Sequence, residues 1–107
     1  MFFAREVTDE EAKQLSVDTW EPWIGETDKG MWHLEDHEIF YVTDGEVFIT
    51  VDGKKYHLTK GWVASLAKDL VCEWDCPVLV KKNFILNSKI DLKLILEGSH
   101  GSNKRGS

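Results

Sequence analysis

From Trp20 onward the chain consists of short runs of aromatic and β-branched residues, each interrupted by Gly, Asp or Lys. Runs of this kind are typical of β-strands that pack one face against a core. The predicted strands lie at residues 20–24, 31–34, in three pieces between about 38 and 58, and at 62–66, 71–75, 78–86 and 90–96. About eight or nine short strands in about 100 residues predict an all-β sandwich or closed barrel.

Two Asp-Gly dipeptides punctuate the middle of this pattern. Asp44-Gly45 and Asp52-Gly53 both have the composition of a two-residue type I′ hairpin turn. Residues 46–51 between them alternate Val47, Ile49 and Val51 with other side chains. The sequence therefore predicts a three-strand antiparallel meander from about residue 38 to residue 58.

One helix precedes the strands. Thr8 and Glu11 have the spacing of a capping box, which predicts a helix over about residues 9–15. A length of 107 residues suits one domain, which we place at residues 1–97 with the barrel at about 20–96. Residues 98–107 contain no apolar side chain. We expect this tail to be disordered, and it resembles residues left by an expression vector.

Charge and cysteine content narrow the classes of partner. The formal net charge is −6, and because Lys104 and Arg105 contribute +2, residues 1–97 carry −8. An acidic body repels phosphate groups, which argues against nucleic acid and anionic membranes. No apolar run approaches the roughly 18–20 residues of a membrane span, and the opening residues lack the apolar core of a signal peptide. We therefore expect a cytoplasmic protein with reduced thiols at Cys72 and Cys76.

The residues around Glu38 resemble the first motif of the cupins, which are small jelly-roll barrels. That motif reads G-x5-H-x-H-x4-E-x6-G, and its register falls here on Gly25, Met31, His33, Glu38 and Gly45. The second motif, G-x5-P-x-G-x2-H-x3-N, keeps only its opening glycine: its positions fall on Gly61, Ala67, Asp69, Cys72 and Cys76. The resemblance implies a double-stranded β-helix preceded by one short N-terminal helix.

A narrower likeness is to the single-domain cupins related to ureidoglycine aminohydrolase and the ethanolamine-utilisation cupin. Those chains open with a helix and a W-x-x-W segment, which is matched by Trp20 and Trp23. They also carry a W-x5-E-x-x-Y-V-x-x-G-x-V run and a C-x-W before P-V. These are matched by Trp32, Glu38, Tyr41, Val42, Gly45 and Val47, and by Cys72, Trp74, Pro77 and Val78.

The resemblance also implies a metal centre of three imidazoles and a carboxylate inside the barrel. This chain has Met31 at the first imidazole position, which leaves His33, Glu38 and Cys72 as candidate ligands for Zn, Mn or Fe. The alternative for Glu38 is a carboxylate that hydrogen-bonds a neighbouring side chain, and for His33 a core or rim histidine. A thiol that only lines the barrel is the alternative for Cys72.

Lys82 shares a predicted strand face with Val78, Val80 and Phe84. Two interpretations stay open for it. Its ammonium group either reaches outward to solvent at the rim or points inward and faces Glu38. An inward ammonium would favour an anionic or amphoteric ligand.

Three functions are compatible with these features. The first is a cupin that binds a small polar molecule in a pocket lined by Trp32, His33, Glu38, Cys72, Trp74 and Lys82. The second is a metal-dependent enzyme resembling ureidoglycine aminohydrolase. The third is a scaffold or regulatory homodimer whose aromatic side chains form an interface, and homodimerisation is compatible with all three.

Overall fold

The computed structural model describes residues 1–96. The tail at residues 98–107, which the sequence predicts to be disordered, lies outside the described residues, as does residue 97. The elements run in the order β1 (Phe2–Glu6), α1 (Asp9–Leu15), a 3-10 turn (Val17–Thr19), β2 (Glu21–His33), β3 (Glu38–Val51), β4 (Lys54–Thr59), β5 (Trp62–Leu66) and β6 (Val71–Leu86). The predicted all-β fold with a short N-terminal helix is confirmed. Neither α1 nor the helical turn at residues 92–96 has the length and apolar character of a membrane span.

All six strands form one antiparallel sheet. Its order is β1-β5-β3-β6-β2, and β4 pairs with the second half of β3. The first half of β3 pairs with β5 through Glu38–Tyr41, and the second half pairs with β4 through Glu46–Val51. The long strands β3 and β6 pair along most of their length. β3 is therefore the central strand, and its residues face both sides of the sheet.

Two hydrophobic clusters lie on the two sides of β3. The inner cluster includes Phe40, Val42 and Trp74, while the outer one places Ile39 against the N-terminal helix and the segment at residues 92–96. A strand that is buried on both faces has consecutive apolar residues instead of an alternating pattern, which explains the sequence IFYV at residues 39–42. Helix α1 begins as predicted, because Thr8 and Glu11 form a reciprocal capping box.

The predicted meander is wrong at one of its two turns. Asp52 and Gly53 both have positive φ, at 50° and 80°, and form the turn between β3 and β4. At the other dipeptide β3 continues without reversing, and its register against β6 shifts on either side of Asp44 and Gly45. This dipeptide is a bulge, which bends β3 from its pairing with β5 to its pairing with β4.

Two pairs of predicted strands are single strands. The pieces at residues 20–24 and 31–34 belong to β2, and those at 71–75 and 78–86 belong to β6, which runs through Pro77. The register between β2 and β6 shifts between Glu26 and Asp28, and the Thr27 hydroxyl donates to the Pro77 carbonyl at 3.1 Å. Proline has no backbone N–H to donate between strands. A bulge tolerates it because the hydrogen bonds between the two strands are already interrupted there.

The predicted strand at residues 90–96 is also wrong. Residues 92–96 are helical, and the Asp91 side chain accepts a hydrogen bond from the Leu94 amide at 3.0 Å. Leu92 and Leu96 are buried, whereas Leu94 is 68% exposed. The four-residue spacing of the buried leucines places both on one helical face against the outer cluster.

Candidate functional site

A cavity of about 360 Å³ opens between β2, β3 and β6. Its walls combine indole and phenyl rings with two carboxylates and one ammonium group. The lining residues are Trp23, Asp28, Gly30, Met31, Trp32, Glu38, Trp74, Lys82 and Phe84. Met31 is 71% exposed and lies at the rim, while Glu38 and Lys82 are buried and lie at the inner end.

A buried ion pair occupies this inner end. The Lys82 Nζ donates to Glu38 Oε2 at 2.6 Å, and their side chains are 6% and 10% exposed. Strand pairing produces the contact: Lys82 on β6 lies opposite Val42 on β3, and Glu38 is on the same face of β3, beyond Phe40. The Lys82 side chain therefore runs over the Phe40 ring to reach the carboxylate.

Five aromatic rings surround the ammonium group. Its Nζ lies over each ring at a distance from the centroid of between 4.4 Å and 5.7 Å. The rings belong to Trp23, Trp32, Phe40, Trp74 and Phe84. The electron-rich faces of aromatic rings attract a cation, and the attraction is stronger where water is excluded. The rings therefore offset part of the free energy lost when the ammonium is desolvated.

Trp74 holds the other indoles in place. Its ring meets Trp32 edge to face with centroids 5.3 Å apart, and meets Trp23 in the same way at 5.9 Å. Edge-to-face pairs stabilise a fixed mutual orientation. The walls of the cavity are consequently ordered by ring–ring contacts, although Trp23 itself is 41% exposed.

Burial and the ion pair act on Lys82 in opposite directions. Desolvation lowers the pKa of its ammonium group, and the Glu38 carboxylate raises the pKa through charge attraction and the hydrogen bond. Desolvation is the larger effect, so the pKa of Lys82 lies below that of an ordinary lysine. Of the three N–H groups, one donates to Glu38, and no other hydrogen bond is formed by Nζ to residues 1–96.

The comparisons with known proteins identify the family. Residues 12–84 match the model of the EutQ-like cupin domain. The chain belongs to this cupin family. A DUF861 family protein from Thermotoga maritima is 32% identical, with a TM-score of 0.73 over 80% of this chain and 99% of that one. No curated protein matches the chain.

Two further solved structures share the fold. The Clostridium difficile EutQ protein is 19% identical with a TM-score of 0.53, over 79% of this chain and 66% of that one. A putative ethanolamine utilization protein Q from Salmonella typhimurium is 18% identical with a TM-score of 0.53, over 79% of this chain and 68% of that one. The cupin resemblance is confirmed, whereas the likeness to ureidoglycine aminohydrolase stays a prediction.

The cupin brings four of the six predicted pocket residues together. Trp32, Glu38, Trp74 and Lys82 all line the cavity, with Lys82 in the inward orientation. His33 does not line it. Successive side chains of a strand point to opposite faces, so Trp32 faces the cavity and His33 faces solvent, where its side chain is 62% exposed and Nε2 lies 3.6 Å from Asp69 Oδ1.

Cys72 also lies outside the cavity. The residue is 2% exposed and packs within the inner hydrophobic cluster, opposite Trp32 of β2. The prediction that Cys72 shares a face with Trp74 is consistent with this burial, but the cavity does not extend to the thiol. Cys72 is therefore part of the core.

These positions contradict the predicted metal set. His33, Glu38 and Cys72 do not converge, and within residues 1–96 no group of three His, Cys, Asp or Glu side chains is placed to hold a metal ion. The Lys82 ammonium, 2.6 Å from Glu38, would repel a metal cation bound to that carboxylate. The residues present do not fit the Zn, Mn or Fe centre that the resemblance implied.

The sequence-based prediction missed two aromatic walls of the cavity. Trp23 lies opposite Lys82 in the β2–β6 pairing, and Phe84 lies opposite Phe40 in the β3–β6 pairing. The signal for Phe84 was present, because it has the same strand parity as Lys82. Trp23 could not be placed before the register between β2 and β6 was known.

We expect the buried Cys72 thiol to make stability pH-dependent. Burial raises the pKa of this thiol to about 11, whereas an unfolded cysteine titrates near 8.5. Between these values the unfolded chain loses a proton that the folded chain keeps. The free energy of unfolding should therefore fall as the pH rises through this window, by roughly 3 kcal/mol in total.

Urea unfolding of the wild type and of Cys72→Ala at pH 7.5, 9 and 10.5 measures this effect. All other titrating groups are common to both proteins, so the difference between their unfolding free energies isolates the thiol. This difference should shrink as the pH rises. A difference that stays constant from pH 7.5 to pH 10.5 would contradict the assigned burial of Cys72.

Proposed function

We propose that this cupin binds a small organic molecule in the cavity between β2, β3 and β6. The observation that carries the proposal is the buried Lys82 ammonium, which lies at the inner end of a 360 Å³ cavity and makes its one hydrogen bond to residues 1–96 with Glu38. A ligand oxygen can accept a second hydrogen bond from the same Nζ. A volume of this size suits a molecule with a single ring.

The walls indicate the shape of the ligand. Trp23, Trp32 and Trp74 present indole rings to the cavity, and their mutual contacts fix the ring planes. Indoles offer a large rigid apolar surface to a flat or apolar group. The proposed ligand therefore has a flat or apolar body and at least one oxygen acceptor that reaches Lys82.

The electrostatics favour a neutral acceptor over an anion. The positive charge of Lys82 is already balanced by Glu38, and Asp28 adds a second carboxylate to the wall. The chain as a whole carries −6. An anionic ligand would therefore be repelled on approach and would meet no unbalanced cation in the cavity. A carbonyl oxygen accepts the hydrogen bond without adding charge.

A thermal-shift comparison of three probes tests this proposal. Benzamide has a neutral carbonyl, benzoate has the same ring with an anion, and benzyl alcohol has the same ring without a carbonyl. At ten times its dissociation constant, benzamide should stabilise the fold by about 1.4 kcal/mol and raise the melting temperature by roughly 5 °C or more. Benzoate and benzyl alcohol should give smaller shifts.

Variants of two neighbouring lysines provide the control. Lys82→Met should abolish the benzamide shift, and Lys81→Met should retain it, because Lys81 is exposed on the opposite face of β6. The double variant Lys82→Met/Glu38→Gln replaces Lys82→Met if the single variant does not fold. Equal shifts with all three probes, or a shift that survives the loss of Lys82, would refute the proposed pocket.

Cupin metal catalysis lacks a suitable ligand set in residues 1–96 and is not proposed. The homodimer predicted from the sequence stays a prediction.

A further inference from the structure

We propose that Lys82 is a carbonyl-condensing amine. Its Nζ forms a reversible protonated imine with a small aldehyde or ketone held in the cavity, and Glu38 transfers the protons. This inference rests on the proposed binding site and adds a reaction to it. Among the lysines that the structure describes, Lys82 alone lines the cavity between β2, β3 and β6.

The position of Nζ suits attack on a bound carbonyl. In the proposed binding mode, Nζ at the cavity wall donates to the carbonyl oxygen of the ligand. The carbonyl carbon is bonded to that oxygen and therefore lies close to Nζ. The surrounding rings leave the Lys82 residue only 5% exposed. A site that excludes bulk water protects an imine from hydrolysis and holds the reactants together.

A nucleophilic amine must first lose its proton. Glu38 Oε2 accepts a hydrogen bond from Nζ at 2.6 Å, which provides a direct acceptor for that proton. Burial also lowers the pKa of Lys82, which increases the fraction of neutral amine at a given pH. Geometry and desolvation therefore both favour the reactive form.

The reaction balances with Glu38 alone as the proton carrier. The Lys82 ammonium gives a proton to the Glu38 carboxylate, and the neutral Nζ then attacks the carbonyl carbon. A C–N bond forms while the carbonyl π pair moves to oxygen, which takes the proton back from Glu38. Glu38 next removes a proton from the attached nitrogen and delivers it to the hydroxyl group. The C–O bond breaks, water leaves, and the nitrogen lone pair closes the C=N bond.

The product has the same charge as the starting group. One ammonium and one carbonyl become one iminium and one water, and Glu38 ends as a carboxylate. The iminium therefore keeps the ion pair with Glu38 and stays among the rings that already surround the ammonium at 4.4–5.7 Å. The cavity is thus electrostatically matched to the condensed state as well as to the free amine.

Reductive trapping tests the inference. The full chain is incubated near neutral pH with benzaldehyde and cyanoborohydride, which converts a protonated imine into a stable secondary amine. Peptide mass spectrometry then follows the modification of each lysine over time. Lys82 should be modified about tenfold or more faster than the exposed Lys81, because the cavity holds the bound carbonyl beside Nζ and burial increases the fraction of neutral amine.

Two variants separate the roles. Glu38→Gln should slow the modification of Lys82 about tenfold or more, because loss of the proton carrier outweighs the further fall in the Lys82 pKa that follows removal of the carboxylate. It should leave the labelling of Lys81 unchanged. Lys81→Met should leave the labelling of Lys82 unchanged. If Lys82 of the wild type is modified at the rate of exposed lysines, or is not modified at all, the inference is overturned. This outcome does not depend on whether any variant folds.

Benzamide distinguishes this failure from failure of the proposed function. Benzamide has the same ring and a carbonyl that does not condense with an amine. If benzamide raises the melting temperature but Lys82 is not trapped preferentially, the cavity binds carbonyl compounds and the condensation is refuted. If neither result appears, binding itself is refuted.

Discussion

Lys82→Met should lower the free energy of unfolding by about 3–5 kcal/mol. Methionine fills nearly the same space between the rings, so the packing is largely retained. The loss arises because the variant leaves Glu38 buried without the cation that lies 2.6 Å away in the wild type. Urea unfolding monitored by tryptophan fluorescence at pH 7 measures the change.

The double variant Lys82→Met/Glu38→Gln is the matched control. It removes both charges, and replacing a complete buried ion pair by uncharged groups is often neutral or stabilising. The double variant should therefore recover most of the stability that Lys82→Met loses. If Lys82→Met unfolds at the same urea concentration as the wild type, the pair is not buried as the structure shows.

Gly45→Ala should have a comparable effect for a different reason. Gly45 has a φ of 76°, and a Cβ atom added there would lie 2.1 Å from the Leu79 carbonyl oxygen. This neighbour is backbone and cannot turn aside, so β3 and β6 must separate. We expect a loss of about 3 kcal/mol or more, of which roughly 1–2 kcal/mol is left-handed strain and the rest is overpacking.

Gly53→Ala isolates the contribution of the collision. Gly53 has a similar φ of 80°, but an added Cβ would meet nothing within 4 Å. This variant should lose only the roughly 1–2 kcal/mol of left-handed strain. Equal losses in the two variants, measured by urea unfolding, would show that β6 does not cross β3 closely at Gly45.

The same two glycines show where the sequence was sufficient and where it was not. A type I′ turn requires positive φ at both central residues. Asp52 and Gly53 meet this condition, whereas at the other dipeptide only Gly45 has a positive φ. The residue types are identical, so local sequence could not decide between a turn and a bulge. The decision depends on the distant pairing of β3 with β5, β4 and β6.

The ends of the described chain differ for related reasons. The strand β1 was not predicted, because its short run gains its partner only from β5, about 60 residues later. At residues 92–96 the apolar run LKLIL resembles a strand, but Asp91 caps a helical turn and Leu92 and Leu96 are buried together. In both cases tertiary packing outweighed the local pattern.

The site was predictable to the extent that strand parity applies. The sequence placed Glu38, Trp74 and Lys82 correctly as residues that could share one interior, and the structure adds that Lys82 points inward. Strand parity favoured Trp32 over His33, because neighbours on one strand point to opposite faces. Met31, which has the same parity as His33, lies only at the rim of the cavity. The family motif suggested His33 in spite of this parity.

The most direct test of the central claim observes the Lys82 side chain during binding. In protein labelled with carbon-13 at lysine Cε, the Lys82 resonance is assigned by its absence in Lys82→Met, and benzamide is then titrated. The Lys82 resonance should shift with saturation while that of Lys81 stays fixed. A Lys82 resonance that does not move at benzamide concentrations that raise the melting temperature would show that Lys82 does not contact the bound molecule.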